Sequence, residues 1–196
     1  LMPIFPSPSY HGYDVTDYKE VNPDYGTLQD FQDLLEACHE RGIRVIVDFV
    51  INHTSSEHPW FVSSKNEASE YRSWYVWSDT KLTQTGPWGQ NAWYESGGSF
   101  YYAPFWSGMP DLNYKEPKVT EAMYDATKFW LDMGVDGFRV DAARYLVEEG
   151  ATLQDAQGSI EWFQNWREYY TGINPEAYTV GEVWTDTQVI AKYGEP

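Results

Sequence analysis

Gly42-Ile43-Arg44-Val45-Ile46-Val47-Asp48-Phe49 is a β-branched run that begins straight after a helix stop and carries an acid near its end. Upstream, Leu28, Phe31, Leu34, Leu35 and Cys38 recur at helical spacing, with Thr27 placed to cap the helix and Asp30 near the capping-box position. A helix joined to a strand by one glycine is half of a parallel crossover unit. The rhythm repeats downstream. Pro117 opens a second helical pattern through Val119, Met123, Ala126, Trp130 and Leu131 to Gly134, and the strand Val135 to Val140 delivers Asp141. Ser159 is expected to cap a third helix with Ile160, Phe163, Trp166 and Tyr170 on one face, before the strand Tyr178 to Val183 that holds Glu182. Leu1 to Phe5 reads as the end of an earlier strand, closed by Pro6-Ser7-Pro8-Ser9.

An acid at a buried strand's end costs free energy unless something uses it. Asp48, Asp141 and Glu182 stand at three successive strand ends, which points to carboxylates converging on the C-terminal face of a parallel barrel. The expected fold is therefore α/β, part of a (β/α)8 barrel covering about its second to fifth strands, in a chain cut at both ends. An open doubly wound sheet would show the same alternation, but no Gly-rich phosphate loop follows any strand.

Between Thr54 and Tyr114 no period is sustained, yet 15 of the 35 aromatic residues lie there. A structureless loop of that length is improbable in a compact domain. The expectation is a small inserted subdomain over residues 54–114, after the barrel's third strand and lying across its mouth. Residues 1–53 and 115–196 would be the barrel on either side.

The 196 residues carry a formal charge of −17, which argues against nucleic acid and against an anionic membrane surface as partner. A neutral, hydroxyl-rich ligand is compatible with it. Ten Trp and 16 Tyr exceed what a core of this size requires, and such rings suit wet stacking surfaces, of which sugar sites are one kind. Cys38 is the single cysteine, so neither an internal disulfide nor a thiolate metal cluster can form, and its place on an apolar stripe reads as a buried thiol. No apolar stretch reaches membrane length and no signal peptide opens the chain, which leaves the compartment open.

Arg139 and Asp141 are two apart on a strand, so their side chains share a side. A fixed guanidinium there is expected to lower the Asp141 pKa, as a nucleophile requires, although an Arg–Asp pair can equally be structural stitching. Glu182, flanked by Val180 and Val183, is expected to be raised by apolar surroundings, as a general acid requires. Retaining glycoside hydrolysis uses two carboxylates tuned in this opposed sense.

Asp48-Phe49-Val50-Ile51-Asn52-His53, Gly137-Phe138-Arg139-Val140-Asp141-Ala142-Ala143 and Gly181-Glu182-Val183-Trp184 resemble, in order, three signatures of the α-amylase superfamily, glycoside hydrolase family 13. Met109-Pro110-Asp111-Leu112-Asn113 and His11-Gly12-Tyr13-Asp14 resemble two further segments of it. The resemblance implies a (β/α)8 barrel with a domain inserted after its third strand. It implies Asp141 as nucleophile, Glu182 as general acid/base and Arg139 orienting Asp141. Tyr13 would stack under the sugar at the cleaved subsite, His53 would bond that sugar's hydroxymethyl group, and Asp48 would hold Arg139. Asn52 and Asp111 match ligands of a structural calcium, with a backbone carbonyl from Tyr145, which stands where the family usually has His.

The fourth signature, with its His–Asp pair, lies outside residues 1–196, so this stretch alone is expected to be inactive. Tyr10 stands where exo-acting α-glucosidases carry an Asp, which favours internal cleavage of α-1,4-glucans or maltooligosaccharides. His58-Pro59-Trp60-Phe61 with Tyr71-Arg72 is similar to the oligo-1,6-glucosidase side. The expected activity is thus an α-amylase-like retaining hydrolase. An oligosaccharide α-glucosidase or a transglycosylase such as a trehalose synthase is the alternative. Some family members are non-enzymatic partner subunits of transporters that lack the catalytic acids, and the presence of Asp141 and Glu182 counts against that reading.

Overall fold

The computed structural model describes residues 1–194. Helix α1 (Leu28–His39) opens on Thr27, whose hydroxyl accepts from the Asp30 N–H while the Asp30 carboxylate accepts from the Thr27 N–H. That reciprocal cap satisfies two donors that would otherwise be orphaned. Strand β1 (Ile46–Phe49) follows and is almost wholly buried. The inserted stretch then contributes α2 (Pro59–Ser64), a 3-10 turn at Arg72–Trp74, and three short strands, β2 (Trp77–Ser78), β3 (Trp93–Ser96) and β4 (Ser99–Tyr102). Helix α3 (Pro117–Met133) starts on an N-terminal proline and stops at Gly134, whose φ of +108° is left-handed. Strand β5 (Gly137–Val140), helix α4 (Gln157–Ile173), strand β6 (Tyr178–Gly181) and helix α5 (Thr187–Gly194) complete the order.

The three longer-range strands form one parallel sheet in the order β1-β5-β6, with α3 carrying the chain back to β5 and α4 to β6. This is a segment of a (β/α) barrel. The register sets Asp48 beside Arg139 and Arg139 beside Val180. Gly137 makes that register attainable: a Cβ there would stand 1.7 Å from the Tyr178 carbonyl oxygen, and its φ of +150° suits glycine.

Behind the sheet, Phe49 packs on Phe138 at 5.0 Å and lies parallel to Trp166 at 6.3 Å. The Trp166 indole donates to Thr127 and the Trp130 indole to the Tyr18 carbonyl, so both buried rings satisfy their polar atoms. Residues 54–114 hold a separate antiparallel sheet in the order β2-β4-β3. Their rings do not form an independent core, because Phe61, Trp74, Tyr75, Tyr101 and Leu112 join the main one and only Ala92, Trp93 and Tyr102 cluster apart. No helix among the described residues is long and apolar enough to cross a membrane.

Some expectations differ from what is found. Leu1 to Phe5 makes no strand ladder; the Leu1 ammonium alone reaches the Ile46 carbonyl at 2.8 Å, since Pro3 has no N–H to offer. Ser159 does not cap α4. It lies inside the first turn, buried, where its hydroxyl accepts from the Val147 N–H at 3.0 Å and so anchors the preceding loop, while Ala156 takes the cap position. Cys38 is half-buried at the edge of the core.

At the sheet's other end Asp136, 7% exposed, accepts from Arg44 (2.8 Å), His39 (2.8 Å) and the Val45 N–H (2.7 Å). Burial opposes its charge, but the three donors outweigh that and hold the carboxyl below its ordinary value. The contribution to stability is complete above the ordinary aspartate value of about 4 and is lost as pH falls through the lower folded value. We expect Asp136→Ala to cost about 2 kcal/mol at neutral pH by urea unfolding, with the gap from the parent narrowing as pH falls below about 4.

Candidate active site

The parallel register brings one guanidinium against three acids. Arg139 Nη1 donates to both oxygens of Asp48 (2.8 and 3.0 Å) and to Asp141 Oδ1 (2.8 Å), and Nη2 donates to Glu182 Oε2 (2.5 Å). Glu182 reaches this point because its own N–H donates to the Val140 carbonyl, continuing the β5–β6 ladder by one residue. Just after Asp141, Ala142 takes a left-handed φ of +50°, a conformation that costs a non-glycine residue about 1 kcal/mol. This turn brings the Ala142 N–H to the Glu182 carboxylate.

The tuning is the reverse of the sequence expectation. Burial is the largest influence on Asp141 and lifts it to about 7 against the pull of Arg139, helped by the neighbouring Asp48 charge and a hydrogen bond shared with Glu182. Burial also acts on Glu182, but the Trp184 indole (2.8 Å), Arg139, Asp141 and the Ala142 N–H outweigh it and leave Glu182 below its ordinary value. One guanidinium is shared among three acids, and of the pair Asp141–Glu182 it is Asp141, the more buried, that holds a proton more readily.

Tyr13, Asp141, Glu182 and His53 line a cavity of about 580 Å³, with Trp88 and Trp184 at its rim. The Tyr13 hydroxyl donates to Asp48 Oδ2 at 3.1 Å, and burial with that negative neighbour pushes its pKa to about 12. His53 is buried and neutral, lowered to about 4 by desolvation, and its Nε2–H donates to the Tyr13 carbonyl at 3.1 Å. The ring thus fixes the Tyr13 backbone as well as facing the cavity.

Asn52 and Asp111 lie together elsewhere, fully buried behind His53. The Asn52 amide donates to Asp111 Oδ1 at 2.6 Å, and residues 52–54 pair with 110–112 through Leu112 N–H to Asn52 O and Thr54 N–H to Pro110 O. Glu148 joins them, its carboxyl hydrogen-bonded to Asp111. Burial lifts Asp111 well above the carboxylate range and Glu148 to about 7. Asn52 Oδ1, Asp111 Oδ2 and Glu148 Oε1 are all buried without a hydrogen-bond partner. Unpartnered interior oxygens of this kind fit a hard, oxygen-seeking cation. No group of three or more His, Cys, Asp or Glu side chains converges among the described residues, so a cation here would draw on Asn52 and carbonyls as well.

Sequence reasoning did not single out Glu148, Trp88 or Arg144. Glu148 precedes Glu149 and reads as part of a solvated acidic pair. Trp88 sits in an aperiodic stretch. Arg144, beside Tyr145, carries no such signal either, yet it binds Asp155 through Nε at 3.0 Å to each oxygen and also reaches the Trp184 carbonyl.

The sequence profile described as "Alpha amylase, catalytic domain" matches residues 1–196, the whole chain. The chain belongs to the α-amylase family. Among relatives of this family, "Alpha-amylase 3" of Dictyoglomus thermophilum is 48% identical over 194 residues, 98% of this chain and 37% of that protein. A trehalose synthase of Pimelobacter sp. is 46% identical over 163 residues, 76% of this chain and 28% of that protein. The crystal structure of an α-amylase from H. orenii superposes with a TM-score of 0.88 at 48% identity, covering 98% of this chain and 39% of that one. The chain therefore spans less than two fifths of these relatives, which include both amylases and trehalose synthases.

For this α-amylase family site the shared proton is measurable. Carboxyl-carbon NMR should show one of the Asp141–Glu182 pair titrating near pH 7 and the other below the usual carboxylate range. Because Arg139 lowers Asp141, Arg139→Gln should move the upper titration to higher pH by about one unit or more. A pair titrating together near pH 4 would contradict the geometry.

Proposed function

We propose that this chain is part of a retaining glycoside hydrolase acting on α-1,4-glucosidic bonds of starch-like glucans or maltooligosaccharides. The observation that carries the reading is the contact of Arg139 with Asp48, Asp141 and Glu182 at the mouth of one aromatic-walled cavity. Ionised Asp141 attacks the anomeric carbon as the proton passes from Glu182 to the departing glycosidic oxygen, leaving a glycosyl ester on Asp141. Glu182 then takes a proton from water as the water oxygen displaces Asp141, so that the configuration is retained. Attack needs Asp141 ionised and Glu182 protonated, the reverse of the tuning in the free site, so productive binding must favour the proton on Glu182, which is hydrogen-bonded to Asp141. Arg139 stabilises Asp141 as it becomes anionic, and Asp48 with the Tyr13 hydroxyl holds the guanidinium in place. Tyr13 offers its ring to the sugar and His53 sets the Tyr13 backbone.

Tyr10 supports internal cleavage. It is almost fully exposed and is absent from the cavity wall, so it does not close the end of the site as an acid gripping a chain end would. In the full-length protein, Asp141→Ala and Glu182→Gln should each lower turnover at least about a thousandfold while leaving the melting temperature nearly unchanged. The first product should be the α-anomer by NMR, and iodine colour should fall faster than reducing ends appear. A second reading, glycosyl transfer to a sugar acceptor, is favoured by the trehalose synthase relatives. Conversion of maltose to trehalose on chromatography, with starch untouched, would establish it instead.

The buried Asn52, Asp111 and Glu148 oxygens are proposed as ligands of a structural calcium ion, with the Tyr145 carbonyl a further candidate. Bound there, the ion would neutralise two buried carboxyls and tie the end of β1 to the inserted stretch. Calcium should raise the melting temperature and chelation lower it, and Asp111→Asn should abolish that difference in scanning calorimetry.

A further inference from the structure

Trp184 stands two residues after Glu182, just beyond the end of β6. Its polar atom does have a partner: the indole N–H donates to Glu182 Oε1 at 2.8 Å, while Arg139 holds Oε2 at 2.5 Å. The carboxyl is thereby gripped at both oxygens. One grip comes from the strand that carries Asp141 and the other from the chain immediately after Glu182.

An exposed ring can hold a carboxyl only if its own backbone is held. Arg144, three residues after Asp141, donates from Nη1 to the Trp184 carbonyl. The rest of its guanidinium is fixed on Asp155, through Nε at 3.0 Å to each carboxylate oxygen and through Nη2. Asp155 is itself constrained. It takes a left-handed φ of +56°, returns an N–H bond to the Arg144 carbonyl at 2.8 Å, and accepts the Tyr193 hydroxyl at 3.0 Å. A non-glycine residue in that conformation persists where its surroundings over-determine it. The brace therefore runs from the loop of Asp141 to the loop of Glu182 and meets the latter at Trp184.

We propose that Trp184 is a positioning residue for acid–base catalysis, its indole N–H orienting the Glu182 carboxyl toward the glycosidic oxygen while the Arg144–Asp155 pair fixes the Trp184 backbone. The inference rests on the assignment of Glu182 as general acid/base. It adds that the indole N–H, rather than the ring face, is what the chemistry uses. Losing that N–H frees the carboxyl to rotate about its last bond and removes a donor that favours its ionised form.

Trp184→Phe tests this in the full-length protein, since it keeps an aromatic ring and deletes only the donor. Two substrates separate the acid step from other losses: a maltooligosaccharide, whose leaving group needs the proton, and its 2,4-dinitrophenyl glycoside, whose leaving group does not. For Trp184→Phe, kcat/KM should fall about tenfold on the first and no more than about twofold on the second, with KM little changed. The other groups facing Glu182 are Arg139 and Asp141 from β5 and its turn, the Ala142 N–H, Asp48 from β1 and Tyr145, and all of them remain. Equal slowing of both substrates, or parental rates on both, overturns the proposal. Glu182→Gln measured alongside must itself discriminate strongly between the two; if it does not, the role of Glu182 falls, and with it the inference.

Discussion

Arg139 is the constraint around which the site is arranged. Its guanidinium offers five donors in a rigid plane, and here they meet Asp48, Asp141 and Glu182, delivered by the ends of three adjacent parallel strands. Asp48, the most buried of the three, could not stay ionised at its strand end without it, because an uncompensated interior carboxylate costs several kcal/mol. The arrangement has a second consequence. A single positive charge is shared among three acids, so the carboxyls are left close together and unequally stabilised. Asp141 and Glu182 differ here through unequal burial and an unequal set of hydrogen-bond donors.

The second buried acidic group solves the same problem differently. Asp111 and Glu148 have no guanidinium between them. They are lifted toward neutrality by burial, share a hydrogen bond, and leave oxygens without partners beside Asn52. This group joins the end of β1 to the inserted stretch, whose aromatic rings enter the barrel's own core. The inserted stretch is thus attached by polar contacts at its base and by packing along its length. Its contribution to the cavity comes from Pro87, Trp88, Phe105 and Met109, which lie outside the strands of its antiparallel sheet.

Much of this was legible in the sequence. Strand–helix alternation, the Thr27–Asp30 cap, the Pro117 start and the Gly134 stop are local signals, and the helices they bound are present. The convergence of Asp48, Arg139, Asp141 and Glu182 followed from their positions at strand ends and from the two-residue spacing of Arg139 and Asp141. What could not be read was how charge would divide among them. That depends on Arg139 Nη2 reaching Glu182 across β6 and on Trp184 curling back, neither of which has a periodic signature. The Ser159 expectation failed for a related reason. A serine near a helix start suits a cap, but this one is needed by Val147 in the loop before it. Leu1 to Phe5 has strand-like composition, yet its proline withholds the donor a ladder needs. Glu148 had no signal at all, since an acid beside another acid is most often at the surface.

Gly137 shows how far the chemistry extends from the acids. The Tyr178 carbonyl lies where its side chain would be, so β6 can approach β5 only because that side chain is missing. Any larger residue would push β6 outward along its whole length and carry Glu182, four residues beyond Tyr178, away from Arg139 and Asp141. A substitution at this glycine would therefore disturb the contacts of Asp141 and Glu182 with Arg139, although Gly137 lies at the start of its strand and touches neither acid. The spacing between strands is, in this sense, part of the reaction coordinate.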